Sequence, residues 1–140
     1  MKAVRNGGYY QLRLMPGEEI METLAGFVRS RRIKSGFLTG IGAAEDITLG
    51  CFNPKTRAYH KRTFKGDNEV AAIVGNVAWL KQAPACHIHA VISRPNLTTF
   101  AGHLFSGTVT VTLEVSLVPG TRRLARRPDP FSGLNLLTLP

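Results

Sequence analysis

The clearest alternation in the chain runs from Thr108 to Val118. Val109, Val111, Leu113, Val115 and Leu117 recur at every second position, with Thr110, Thr112, Glu114 and Ser116 between them. A period of two puts the two sets on opposite faces of a strand, so the spacing predicts a β-strand with the five aliphatic side chains inward. A second pattern has a helical period. Ile20, Leu24, Phe27 and Val28 make one apolar stripe, preceded by Glu18 and Glu19 and followed by Arg29, Arg31 and Arg32. Acid at the start and base at the end suit the helix dipole, and the spacing predicts a helix broken at Gly36.

The remaining segments read mostly as strands. Tyr9–Leu14 alternates and is stopped by Pro16-Gly17. The run Gly36–Ala44 has the glycines of a phosphate loop but neither its Gly-Lys-Ser/Thr ending nor a third glycine at the dinucleotide spacing. A glycine-rich strand packed closely on its neighbours is the better reading. Ile47, Leu49 and Cys51 resume the alternation up to Asn53-Pro54, and Arg57–Phe64 reads as a basic edge strand. Asp67-Asn68 then predicts a turn into a mostly buried strand, Glu69–Leu80. Pro84–Ser93 is short, apolar and β-branched, and ends at the Arg94-Pro95-Asn96 turn. Pro119-Gly120 predicts a turn into a last basic strand, Thr121–Arg127, before a closing segment with Leu134, Leu136, Leu137 and Leu139. These elements predict an α+β fold, with one principal N-terminal helix on a large, mainly antiparallel sheet in a single domain spanning residues 1–140.

Charge changes this picture more than composition does. At 140 residues and 44% hydrophobic, the chain can bury a core as one unit. It opens without the apolar run of a signal peptide, has no stretch of membrane-spanning length, and carries two cysteines, too few for a disulfide framework. A reducing, cytoplasmic setting is expected. The formal net charge of +9 favours a polyanionic partner such as DNA. Lys61, Arg62, Arg122, Arg123, Arg126 and Arg127 are the candidate phosphate contacts, whereas Arg29, Arg31 and Arg32 partly serve the helix end. No helix-turn-helix, zinc-finger pattern or interleaved aromatic platform offers base readout, so binding would be nonspecific and phosphate-led. The alternative is a set of separate solvated edges.

Candidate chemistry centres on three histidines. On the Pro84–Ser93 strand, His87 and His89 project to one face while Cys86 and Ile88 project to the other. His103 follows Gly102 on a segment able to fold back towards them. Three imidazoles with an open position suit Zn²⁺ or a similar divalent cation that keeps room for water or substrate. The alternative is a set of hydrogen-bonded rings with no ion. Asn76 or Glu69 is the candidate partner for the second ring nitrogens. If the centre is catalytic, Glu69, Glu45 or Asp46 is the candidate proton carrier.

Several segments together resemble the plant and prokaryote conserved (PPC) domain. They are Arg13-Leu-x-x-Gly-Glu18, Gly40-Ile-Gly-Ala43, Gly75-Asn76, His87–Pro95, Ala101–Val109, Thr112–Val115 and Gly133-Leu134. The resemblance covers almost the whole chain and implies an antiparallel sheet flanked by short helices, assembled as a homotrimer. It also implies metal ligation by His87, His89 and His103, often of zinc. In plants the domain follows an AT-hook in nuclear DNA-binding proteins. No such segment occurs here, so the stand-alone prokaryotic form is the nearer analogue. Plant members carry Gly-Arg-Phe-Glu where this chain has Gly66-Asp67-Asn68-Glu69.

Overall fold

The computed structural model describes residues 1–139. Its elements in chain order are β1 (Lys2–Asn6), β2 (Tyr9–Leu14), α1 (Ile20–Ser30), β3 (Ser35–Asn53), β4 (Ala58–Leu80), β5 (Ala83–Ser93), β6 (Thr99–Gly120), β7 (Ala125–Pro128) and β8 (Asn135–Thr138). The strands form one sheet in the order β1-β2-β6-β3-β4-β7-β8, and β5 pairs with both β4 and β6. That double pairing closes β6, β3, β4 and β5 into a ring. Every pairing is antiparallel except the short parallel contact of β4 with β7 at Trp79 and Ala125. Among the described residues, no helix is long and apolar enough to cross a membrane.

The fold class corrects the sequence reading. Strand accounts for 68% of the chain and helix for 8%, so the fold is mainly β and the α+β class with short flanking helices does not hold. The cause lies in β3, β4 and β6, which run for 19, 23 and 22 residues. They bend at bulges rather than break, and the ring they form with β5 encloses core that flanking helices would otherwise cover.

The one helix among the described residues packs across β5 and β6 and buries Ile20, Leu24, Phe27 and Val28, the predicted stripe. Each such side chain contributes about 2 kcal/mol when fully removed from water. Glu19 caps the helix, its carboxylate accepting from the Glu22 N–H at 2.6 Å and the Gly107 N–H at 3.2 Å. The helix does not run to Gly36. Arg31 caps it, Arg32 takes a left-handed φ of 52°, and the Ile33 N–H returns to the Val28 carbonyl at 3.0 Å. Gly36 already lies in β3.

Close strand contact explains the glycine-rich run. A Cβ on Gly42 would lie 2.0 Å from the Thr112 carbonyl oxygen of β6, inside any allowed contact. The register slips at the same place. Gly42 faces Leu113 and Ala44 faces Val109, so Thr110–Thr112 bulge against Ala43 alone. Val111 is thereby turned outward and is 64% exposed, against the expectation that it faces the core.

Two further strand assignments change. Asp67-Asn68 makes no turn, because one strand, β4, runs unbroken from Ala58 to Leu80, with Arg57 left in the turn before it. Asp46 and Gly66 adopt left-handed φ angles of 52° and 72° across a bulge, and the Gly66 N–H donates to Asp46 at 3.2 Å. The buried Asn68 side chain donates to the Gly66 and Phe64 carbonyls of its own strand at 2.7 and 3.4 Å. Asp46 and Asn68 therefore stitch a bend. Within the Glu69–Leu80 half, Val70, Ile73, Val77, Ala78 and Trp79 are buried and only Glu69, Ala71 and Val74 are exposed, in keeping with a mostly buried strand. The basic strand Thr121–Arg127 shortens to Ala125–Pro128.

Candidate metal centre

The sheet register brings the three histidines together. His87 and His89 stand two residues apart on β5, and His103 of β6 lies directly opposite His89 in the antiparallel pairing. Directly opposed residues share a sheet face. Beneath His103, the crossing is as close as the sequence suggested: a Cβ on Gly102 would lie 2.8 Å from the Gly50 carbonyl oxygen. The ring centroids are 5.0 Å (His87–His103), 5.2 Å (His87–His89) and 5.7 Å (His89–His103) apart. One nitrogen from each ring lies within 4.8 Å of the others.

These donors fit a metal. Three nitrogens around a tetrahedral zinc at about 2.0 Å stand roughly 3.3 Å apart, a closure of at most about 1.5 Å that side-chain torsions can supply. Nδ1 of His103 is buried without a hydrogen-bond partner, a nitrogen left open for a ligand bond or a proton. Burial, with the neighbouring His87, His89, Arg126 and Lys61, holds the pKa of His103 down to about 4. Burial, then Arg126 and His89, also lowers that of His87. Both shifts favour the neutral imidazole that ligation needs.

The surroundings are aromatic and cationic. Tyr59 of β4 and Phe105 of β6 pack on His103 at centroid distances of 5.4 and 4.7 Å, and Lys61 Nζ lies 3.8 Å from the centre of the Phe105 ring. Arg126 of β7 lines the same cavity as His87 and His103. It donates to the Asn76 side-chain oxygen at 2.6 Å and the Asn135 carbonyl at 3.1 Å. Cys86 lines that cavity too, and burial pushes its thiol pKa up to about 11 despite the opposing charge of Arg126.

The other predicted residues fall elsewhere. Asn76 faces His87 across β4 and β5, but its side-chain oxygen is taken by Arg126. Glu69 faces Ser93, four positions along β5 from His89, or about 13 Å at the usual strand rise. Glu45 faces Asp67 and Thr108, and Asp46 pairs with Lys65 at 2.9 Å, which keeps its carboxyl below the usual range. Among the described residues the group consists of the three histidines with no carboxylate. Of the predicted DNA contacts, Arg62 lies over Phe64 and Phe100 (4.9 and 5.3 Å), and Arg123 over Trp79 at 4.2 Å. Arg122 and Arg127 are exposed, while Arg126 turns to the histidines. Nothing in the local sequence separates Arg126 from its three basic neighbours.

A mainly β sheet carrying a histidine trio where β5 meets β6 defines the class of protein. The family model of the Plants and Prokaryotes Conserved (PCC) domain matches residues 1–120, and the chain belongs to that family. Among solved structures it is similar to one described as "a putative dna binding protein from bacteroides thetaiotaomicron". The TM-score is 0.94 at 31% identity, covering 98% of this chain and 96% of the other. A metal-containing protein from Archaeoglobus fulgidus is also similar, with a TM-score of 0.88 at 27% identity and coverage of 95% and 94%. Among curated proteins, the chain is 28% identical over 127 residues to the bifunctional protein GlmU of Synechococcus sp. (strain JA-3-3Ab). That match covers 89% of this chain but 19% of the relative, so the chain spans about a fifth of the length of the curated relatives it matches.

Proposed function

We propose that this PCC-family chain holds one divalent metal ion, zinc or a similar borderline cation, on His87, His89 and His103, and works as a homotrimer in the cytoplasm. The observation that carries the metal reading is the convergence of three imidazole nitrogens, one from each ring, within 4.8 Å. The metal-containing relative supports it. Such an ion would supply Lewis acidity towards an oxygen-bearing ligand, held by the neutral rings beside Tyr59 and Phe105. No carboxylate stands in the group, so Glu69, Glu45 and Asp46 have no assigned catalytic part. The trimer reading is supported by half-exposed apolar side chains: Phe37 and Val74 beside His87 and His89, and Val118 opposite Phe37.

Elemental analysis of untagged protein after zinc supply tests the metal. By the one-site, three-ligand argument, about one ion per chain is expected. It should be lost in His87→Ala, His89→Ala and His103→Ala and retained in His60→Ala. Metal-free wild type, or full retention in the three variants, would overturn the reading.

A second reading, nonspecific DNA association, is favoured by the net charge of +9 and by the relative from Bacteroides thetaiotaomicron. It is compatible with the first, since Arg122 and Arg127 are exposed and lie on the tail rather than in the histidine group.

A further inference from the structure

Arg126 stands outside the part of the chain that the family model matches, yet it lies against the histidines. Residues beyond position 120 are built to put it there. The Ser35 hydroxyl donates to the Arg122 carbonyl at 2.7 Å, and the Trp79 N–H donates to the Leu124 carbonyl at 3.0 Å. These bonds lay β7 beside β4, and β8 pairs back on β7 through a turn closed by Asp129 and Ser132. The hairpin walls a cavity of about 270 Å³ between itself and the sheet. Tyr59, Cys86, His87 and His103 line one side, and Arg126 and Leu136 the other.

The charge in this cavity is unbalanced. A guanidinium has five N–H donors. Arg126 uses Nη1 and Nη2 on neutral oxygens, and its Nε is buried with no partner. Among the described residues the salt bridges are Met1 with Glu18 and Lys65 with Asp46, so no carboxylate answers Arg126. A cation drawn out of water without a counter-ion is costly, and burial accordingly lowers the Arg126 pKa. The residues that line the cavity include no carboxylate. Three neutral imidazoles would also leave all the charge of a divalent ion uncompensated.

We propose that Arg126 is the recognition residue for the anionic group of a small organic carboxylate bound between the C-terminal hairpin and the histidine trio. The planar fork of the guanidinium matches a planar carboxylate. The cavity holds the equivalent of about nine waters, at roughly 30 Å³ each. Leu80, Leu134 and Leu136 offer an apolar wall for the rest of the molecule. This inference names the ligand class of the centre proposed above and rests on the histidines forming one site. Anion recognition itself belongs to the guanidinium, so it is measurable without metal.

The test is titration of the full chain, metal-free and zinc-loaded, with propionate and malonate as probes. Inorganic phosphate and propionamide serve as tetrahedral and uncharged controls. Carboxylate should bind the metal-free wild type, bind Arg126→Gln tenfold or more weakly, and bind Arg126→Lys at an intermediate level. Propionamide should not bind. Proton NMR of the wild type gives a readout free of any folding defect in the variants: ring signals of His87 and His103 should shift with carboxylate, and those of the exposed His60 should not. Equal carboxylate affinity in wild type and Arg126→Gln, a preference for phosphate, or no selective shift at His87 and His103 would overturn the proposal. Separate zinc stoichiometry keeps that failure distinct from failure of the metal reading, since a zinc-binding protein indifferent to carboxylate would lose this inference alone.

Discussion

Cys86 and Cys51 differ in environment although both lie on strands of one sheet. Cys51 is exposed, whereas Cys86 is mostly enclosed between the core and the Arg126 cavity. Only the thiolate attacks an alkylating reagent. With its pKa near 11, Cys86 is about one part in a thousand thiolate at pH 8, and that fraction rises roughly tenfold per pH unit until the pKa is reached. Iodoacetamide at pH 8 should therefore give one adduct, at Cys51, by peptide mass mapping, with Cys86 joining as the pH approaches 10. Equal labelling at pH 8 would contradict the burial of Cys86. What the sequence made legible here was period-two geometry: alternation alone put His87 and His89 on one face. The role of Arg126 was illegible, because four arginines between positions 122 and 127 look alike until the β4–β7 contact singles one out.

The strands were readable to the degree that burial imposed a pattern on them. β2, β5 and the outer half of β6 each keep one face on the core, and their hydrophobic positions announced them. β1 and β8 are exposed along their whole length, so no alternation is imposed and neither was predicted as a strand. The helix was legible through its stripe and its basic end, but the residue that breaks it was not, since Arg32 rather than Gly36 makes the left-handed reversal. Turn chemistry misled at Asp67-Asn68 for a related reason. Asn and Asp satisfy backbone groups locally, which serves a bulge as well as a turn, and only the long β3–β4 register decides between them. The largest error, the fold class, is the sum of such cases: strands that bend were read as strands that stop.

For the molecule as a whole, two surfaces remain to be accounted for. Phe37 and Val118 face each other across β3 and β6, Val74 lies opposite His89, and all three are about half exposed. Apolar side chains grouped on one sheet face favour coverage by another chain. Light scattering at micromolar concentration should then give about three times the chain mass of 15.3 kDa, and Phe37→Asp should lower it. A wild-type monomer would leave this face to some other partner. The second surface is the basic one. Three copies of a chain carrying +9 would present a strongly positive assembly, and phosphate-led binding to duplex DNA releases counterions, so affinity must fall steeply with salt. Arg126 is engaged with Asn76 and is a poor choice for testing this, whereas Arg122 and Arg127 are exposed. Replacing those two by Gln should weaken binding alike across unrelated sequences. If each arginine contacts one phosphate, the log–log salt slope should flatten by about 1.8 for each chain in contact. The double variant should keep the zinc content of the wild type, because neither side chain belongs to the histidine group. Gel-shift titration at low salt is the direct measurement. Absence of a complex there, with the trimer intact by light scattering, would end the DNA reading and leave the charge as a solvated surface.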